Sequence, residues 1–174
     1  MEGRSQTDGE RIDAPIMRMS VTWRDAPPGR DMLVFDLVLR PGAEIPLHVH
    51  PHQEERHTVL RGSVRARVGG VERVAGPGET LVARAGEKHG MSPAGDEEAE
   101  VRTEFEPALG YRGFLERLFQ LDREGHLNRK GRGNPLRLAT TRQYDAEFYL
   151  AGVPVGLQRS LLRGLERIAR RLGY

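Results

Sequence analysis

One short stretch of the sequence concentrates side chains that can bind metal ions or transfer protons. Residues 48–57 read HVHPHQEERH and hold four of the six histidines of the chain, together with two glutamates. If residues 46–50 end a β-strand, His48 and His50 project to the same face, because side chains alternate along a strand. Two imidazoles on one face are half of a typical binding site for a divalent transition metal.

A carboxylate and a third imidazole can complete such a site. Pro51 has no N–H for strand pairing, so the chain turns there, and a returning strand would bring Glu54 or Glu55 beside the imidazoles. His89, the other histidine of the β-rich region, follows the strand candidate Thr80–Ala83. Imidazoles with one carboxylate suit divalent Mn, Fe, Co, Ni, Cu or Zn, and two His with one carboxylate serve many non-haem iron enzymes.

Two more histidines lie in the same stretch. His57 is two positions after Glu55 in a strand candidate, so it should point to the same interior. There it would contact the metal ligands and transfer a proton, or it would simply bind a carbonyl group of the barrel wall. His52 follows Pro51 in the turn and is expected to face solvent, at the mouth of the β-barrel that the pattern of short strands in this region allows.

The elements that would position these residues are short strands. From residue 15 to about residue 106, apolar stretches such as Met32–Leu39 are interrupted by Gly and Pro at regular intervals. Val64–Val68 alternates apolar residues with arginines, and Gly69-Gly70 is a hairpin signal. This pattern predicts a β-sandwich or β-barrel over residues 15–106, preceded by a flexible segment over residues 1–14.

After Pro107 the sequence becomes helical and basic. Leu109–Arg123 and Leu136–Leu150 are predicted helices, and Pro154 can open a third helix that ends at Gly173. Residues 107–174 are therefore predicted to form a C-terminal α-helical extension, which carries a net positive charge.

Composition excludes several classes of protein. The chain has no cysteine, which excludes disulfides, thiolate catalysis and thiolate zinc sites, so a metal must be held by His, Asp or Glu. No apolar run is long enough to span a membrane. The polar, acidic N-terminus is unlike a signal or transit peptide, and we therefore expect a cytoplasmic protein.

The spacing around the histidine stretch resembles the first sequence motif of the cupin superfamily. That motif is a Gly, five residues, His-x-His, three or four residues, a Glu, six residues and a Gly. Gly42, His48-Val49-His50, Glu55 and Gly62 meet every one of these spacings. Glu54 is the alternative carboxylate, but only Glu55 leaves six residues before Gly62.

The second cupin motif is matched less completely. Gly78, Gly86 and His89 stand where the family has its two glycines and its histidine. Arg84 replaces the expected Pro, and Pro93 replaces the expected Asn. Neither changed position is a metal ligand in the family, so the departures concern the shape of the loop.

The resemblance covers roughly residues 16–106 and implies a mostly β fold, the antiparallel double-stranded β-helix or jelly-roll barrel, in a bacterial protein. It implies one divalent metal ion (Mn, Fe, Ni, Zn or Cu) inside the barrel. The implied ligands are His48, His50, Glu55 and His89. It also implies a homodimer, since cupins are often dimers.

Three interpretations compete for the helical extension. Its helices could cover the outside of the barrel or form a dimer interface, since an apolar stripe in the last helix must be buried. Arg129-Lys130-Gly131-Arg132 weakly favours an anionic partner, but the extension has no recognised nucleic-acid-binding motif. In the third interpretation the extension is a lid, with Tyr144, Phe148 and Tyr149 lining the pocket entrance.

The sequence therefore predicts a metal-binding protein that acts on a small organic molecule, as a metal-dependent dioxygenase or as an isomerase or lyase. In such an enzyme Glu55 would act as a base and His57 would transfer a proton. The alternative is a non-catalytic module that binds a metal or metabolite, with the helical extension mediating oligomerisation or partner binding.

Overall fold

Two antiparallel β-sheets form the body of the protein in the computed structural model, which describes residues 9–174. The strands are β1 (Arg11–Ala14), β2 (Met19–Arg24), β3 (Leu33–Leu39), β4 (Ile45–Val49), β5 (Glu54–Arg61), β6 (Val64–Val68), β7 (Val71–Ala75), β8 (Thr80–Ala83), β9 (His89–Pro93), β10 (Ala99–Glu106) and β11 (Tyr149–Leu150). One sheet has the order β1-β2-β3-β10-β5-β8, and the other has the order β11-β4-β9-β6-β7. This is the jelly-roll architecture that the resemblance to the cupin superfamily implies.

Buried and less buried side chains alternate along the strands, and the buried ones form the core. In β10, Val101, Thr103 and Phe105 are buried while the residues between them are not. Phe105 stacks on Phe35 with ring centroids 6.1 Å apart, and Phe35 meets the edge of Trp23 at 5.6 Å. Burial of these large side chains is the main source of stability for the barrel.

The structure corrects the prediction of a flexible segment over residues 1–14. Residues 1–8 lie outside the described residues, but Arg11–Ala14 is strand β1, which pairs with β2 from Arg11 opposite Thr22 to Ala14 opposite Met19. Ala14 is fully buried. Four residues that include two charges are too short for a visible alternation, so the sequence pattern missed this edge strand.

The helices of the extension are α1 (Tyr111–Arg123), α2 (Pro135–Ala139) and α3 (Val155–Arg171). The carboxylate of Asp122, near the end of α1, accepts hydrogen bonds of 2.9 Å from the backbone N–H groups of Ile16 and Met17. Leu115 and Phe119 of α1 join the barrel core. The extension therefore packs on the barrel, and the boundary at residue 107 stays a prediction. None of the helices in the described part of the chain has the length and apolarity that crossing a bilayer requires.

The helix predicted over Leu136–Leu150 is much shorter in the structure. Helix α2 ends at Ala139, a 3-10 helix covers Thr140–Tyr144, and β11 follows. The hydroxyls of Thr140 and Thr141 bond back to carbonyl groups in α2, a competition that weakens helices. Asp145 then adopts a left-handed conformation with φ of 56°, which ends the helical run.

A buried carboxylate links β2, β3 and β10. Asp36 is only 3% exposed, and its side chain accepts hydrogen bonds from Arg24 at 2.6 Å and from Arg102 at 2.8 Å. Burial alone would raise the pKa of Asp36, but the bonds from Arg102 and Arg24 lower it below its usual value.

We expect Asp36→Asn to reduce the free energy of unfolding by about 1–3 kcal/mol at pH 7, because the two arginines lose a charged partner. Since the folded pKa is depressed, this stabilisation is complete above the unfolded pKa of about 3.9 and is lost as pH falls through the folded pKa. Urea unfolding from pH 7 down to acidic pH measures the difference. Asp13→Asn is the control, because the Asp13–Arg11 pair is about half exposed, and its loss should cost less than about 1 kcal/mol.

Candidate metal centre

Neighbouring strands bring the four sequence-predicted ligands together inside the barrel. His48 lies in β4, directly opposite His89 at the start of β9. His50 follows the end of β4, and Glu55 projects inward from β5. All four side chains are buried, with at most 4% of each residue exposed. We call His48, His50, Glu55 and His89 the His-Glu cluster.

The nitrogen and oxygen atoms of the cluster converge on one small volume. One ligand atom from each residue can be chosen so that all four lie within 4.8 Å of one another. The carboxylate Oε2 of Glu55 lies 2.6 Å from Nε2 of His89 and 3.2 Å from Nε2 of His50. Nε2 of His48 is 3.8 Å from the same oxygen. A single ion at the centre could contact all four groups.

Backbone carbonyl groups fix the tautomer of the three histidines. Nδ1 of His48 lies 2.8 Å from the carbonyl oxygen of Pro46, and Nδ1 of His89 lies 2.9 Å from that of Glu87. Nδ1 of His50 contacts the carbonyl oxygen of Glu147. A carbonyl oxygen can only accept, so each Nδ1 carries a proton, and in the neutral form of each ring Nε2 presents a lone pair to the centre.

With this tautomer, the arrangement of nitrogen atoms in the cluster is electrostatically unfavourable unless a cation is bound. Nε2 of His48 and Nε2 of His50 are 2.9 Å apart, and with both protons on Nδ1 the two nitrogens are acceptors that repel each other. A divalent cation between them and the Glu55 carboxylate would convert the repulsion into coordination. The donor set of imidazoles and one carboxylate suits a divalent transition metal. The residues therefore fit the ion that the sequence predicts.

The ionisation of the cluster also suits metal binding. Burial lowers the pKa of His48 to about 4, so its imidazole is neutral at pH 7, as a metal ligand must be. Burial alone would raise the pKa of Glu55, but the surrounding histidines, His57 first among them, lower it well below its usual value. Burial alone would lower the pKa of His89, but the hydrogen bond that its protonated Nε2 donates to Glu55 raises it. A metal ion bound at this nitrogen would displace that proton.

His57 lies behind Glu55 rather than among the converging atoms. Its Nε2 is 3.2 Å from Oε1 of Glu55 but is not aligned for a hydrogen bond. Its Nδ1 is 3.0 Å from the hydroxyl of Thr103. Burial lowers the pKa of His57 to about 4. His57 thus contacts Oε1 of Glu55, whereas the three histidines of the His-Glu cluster contact Oε2.

The two other polar candidates of the stretch lie outside the cluster. Glu54 pairs with Arg56 at 3.2 Å on the outer face of β5, as strand alternation requires. His52 has a side chain 68% exposed, and its Nδ1 lies 2.7 Å from the Glu147 carboxylate.

The extension supplies contacts that sequence reasoning did not find. Tyr111, the first residue of α1, packs on Phe105 with ring centroids 4.0 Å apart and meets His50 edge-on at 5.4 Å. Burial raises the pKa of Tyr111 well above its usual value, and the Glu55 carboxylate adds to the effect. Phe148, which the lid interpretation places at the pocket entrance, stacks on His48 at 4.3 Å. No spacing rule reveals Tyr111 or Glu147, because both reach the site only through docking of the extension.

A cavity of about 330 Å³ opens beside the cluster. His48 and Glu55 border it, and Tyr111 lies in its wall. The remaining wall combines residues of the barrel with residues of the extension. A molecule in this cavity would reach two members of the His-Glu cluster from one side.

Comparison with known proteins supports this architecture. Residues 35–104 match the family model of the cupin domain, a span that contains the whole His-Glu cluster. The solved structure of KdgF from Halomonas sp. is 20% identical with a TM-score of 0.51, over 61% of this chain and 94% of that one. An RmlC-like cupin from Shewanella frigidimarina is 18% identical with a TM-score of 0.53, over 60% and 96% of the two chains.

A third structure, the Cnp3 cupin domain from Schizosaccharomyces pombe, is 12% identical with a TM-score of 0.46 over 51% of this chain. The chain spans 64% of the length of that domain. No curated protein matches this sequence. At these identities the structural likeness concerns the fold alone.

Proposed function

The chain belongs to the cupin superfamily, and on that premise we propose that it binds one divalent transition-metal ion and acts on a small organic molecule. The His-Glu cluster would hold the ion. Mn, Fe, Ni, Zn and Cu all remain compatible with three imidazoles and one carboxylate.

One observation carries the proposal. The contact of 2.9 Å between Nε2 of His48 and Nε2 of His50 is unfavourable in the tautomer that their carbonyl partners impose. Structural histidines of a core would use Nε2 as a donor or bind it to a donor. Here the Nε2 atoms of three buried imidazoles meet beside a carboxylate, an arrangement that a bound cation would stabilise.

A bound metal would supply Lewis acidity toward an oxygen of the substrate. Glu55 borders the cavity and would serve as the base that accepts a proton from the bound molecule. His57 is absent from the cavity wall in the part of the chain that the structure describes. We therefore assign it to positioning the Glu55 carboxylate and exchanging a proton with it, rather than to direct contact with the substrate.

Two reaction classes fit this arrangement: oxidative cleavage by dioxygen, as in a dioxygenase, and an isomerase or lyase step that begins with proton abstraction. The alternative function is a non-catalytic module that binds a metal or metabolite. The cavity beside Glu55 argues against a purely structural metal site, which is usually closed, and is compatible with both an enzyme and a metabolite-binding module. Homodimer formation and a cytoplasmic location stay predictions.

Elemental analysis of protein purified without a metal-affinity column tests the proposal. We expect about one divalent transition metal per chain, and strongly reduced metal content in His50→Ala. Steady-state turnover against a panel of small organic acids, alcohols and ketones, with His50→Ala as the control, then separates catalysis from binding. Metal content far below one per chain, even after loading with each candidate ion, would contradict both functions.

A further inference from the structure

The wall of the cavity beside the His-Glu cluster is overwhelmingly apolar. Most residues that line it are Leu, Ile, Val, Met, Pro or Phe. Met19 and Phe35 belong to the barrel sheets, whereas Phe114, Leu118 and Phe148 come from the extension. Such a wall gains free energy from covering hydrocarbon and offers little to a hydroxyl group.

Several polar side chains of the wall already have partners. The amide of Gln158 accepts from the backbone N–H of Leu150 at 3.0 Å and donates to its carbonyl at 2.9 Å. The hydroxyl of Thr141 donates to a backbone carbonyl of α2 at 2.8 Å. Lys130 lies 3.7 Å from Glu44 where both are exposed at the mouth of the cavity. A bound molecule would have to compete for each of these groups.

The polar groups that face the cavity from its buried end are clustered. His48, Glu55 and Tyr111 lie there together, and each is at most 6% exposed. Arg132, which also lines the cavity, is exposed to solvent. The cavity thus combines one buried polar group of side chains with a wall that is mostly apolar, a distribution of polarity that matches an amphiphile.

We infer that the ligand is an amphiphilic organic molecule, with one oxygen-bearing head group at the His48–Glu55–Tyr111 end and an unhydroxylated hydrocarbon body against the wall built by the extension. This inference rests on the proposed function, because the head group is placed beside the metal. Sugars and sugar acids should bind poorly, since most hydroxyls along their length would lie against apolar side chains.

A homologous series of carboxylates tests the hydrocarbon body. We expect the affinity of the metal-loaded full-length protein, measured by isothermal titration calorimetry, to increase about fourfold for each methylene from butanoate through hexanoate to octanoate. Gluconate has the same head group and carbon number as hexanoate but five hydroxyls, and should bind at least about tenfold more weakly. Metal content after each titration checks that gluconate has not removed the ion. A flat series, or gluconate binding as tightly as hexanoate, would overturn the inference.

A pair of tryptophan variants locates the binding site. Leu118 lies in the cavity wall, so Leu118→Trp should fill part of the cavity and weaken octanoate binding by about tenfold or more. Leu161 on α3 is 60% exposed and lies outside that wall, so Leu161→Trp should leave octanoate affinity unchanged. Metal content serves as the check of folding for both. Equal octanoate affinity in a metal-loaded Leu118→Trp protein would place the carboxylate elsewhere and contradict the assignment.

The two proposals fail in different ways. If the protein holds one metal per chain but shows no chain-length dependence, the amphiphile inference is wrong and the metal proposal stands. If octanoate binds with the expected series while no metal is retained, the cavity is correctly described and the metal proposal is wrong.

Discussion

Replacement of Glu55 by glutamine is expected to lower the affinity for a divalent metal by roughly 1,000-fold. The carboxylate is the one anion among the converging imidazoles, and it lies within 3.2 Å of the Nε2 atoms of both His50 and His89. Removing one partner of a buried charge interaction costs about 3–5 kcal/mol, which corresponds to this factor. Competition with a fluorescent chelator measures the dissociation constant.

Glu54→Gln provides a matched control on the adjacent residue. Glu54 points outward and pairs with Arg56, and both side chains are more than 40% exposed. We expect this variant to bind metal like the unmodified protein. If the two variants lost metal equally, the general negative charge of the strand would be responsible, and the assignment of Glu55 as a ligand would be wrong.

Replacement of His57 by leucine is expected to weaken metal binding by about 10- to 100-fold although all four members of the His-Glu cluster remain. His57 and Thr103 form a short chain of contacts behind Glu55, with distances of 3.2 and 3.0 Å. Such supporting residues orient the ligands of a metal, and their loss typically costs this much affinity. Chelator competition and urea unfolding should be measured on the same samples.

Chelator competition and urea unfolding together show whether His57 positions the Glu55 carboxylate or only packs in the core. His126→Leu is the control, because His126 is partly exposed and pairs with Glu124 outside the cluster. Thr103→Val should reproduce part of the loss, since it removes the partner of Nδ1 and keeps the shape of the side chain. If His57→Leu lowered stability but left metal affinity unchanged, His57 would be a packing residue only.

The strands of the barrel were predictable from sequence because the signals that identify them, alternation and turn residues, lie within a few neighbouring positions. Alternation in Val64–Val68 and the turn signals between strands follow from a period of two. The spacing from Gly42 to Gly62 selected Glu55 over Glu54, and the structure directs Glu55 inward and Glu54 outward. The jelly-roll prediction is confirmed, and the four proposed ligands do converge.

The outer half of the site could not be predicted in this way. Tyr111 and Glu147 reach the cluster because the extension folds back on the barrel, and their separation in sequence from His50 carries no pattern. Phe148 was placed near the pocket only by the lid interpretation, one of three that the sequence left open. Strand β1 was missed because four residues give no periodicity. The predicted second helix was wrong because side-chain hydroxyls and a left-handed Asp145 favour a different backbone.

If the His-Glu cluster binds a metal, Glu147 links metal binding to the docking of the extension. Its carbonyl oxygen holds His50, while its carboxylate accepts a hydrogen bond of 2.8 Å from the backbone of His52. If the segment around Glu147 opens, His50 loses the group that fixes its tautomer, so the open form binds metal less tightly. By reciprocity, bound metal must disfavour opening of that segment by the same factor. The extension and a bound metal would therefore be thermodynamic effectors of each other, and hydrogen exchange of the β11 amides would report metal occupancy from outside the cluster.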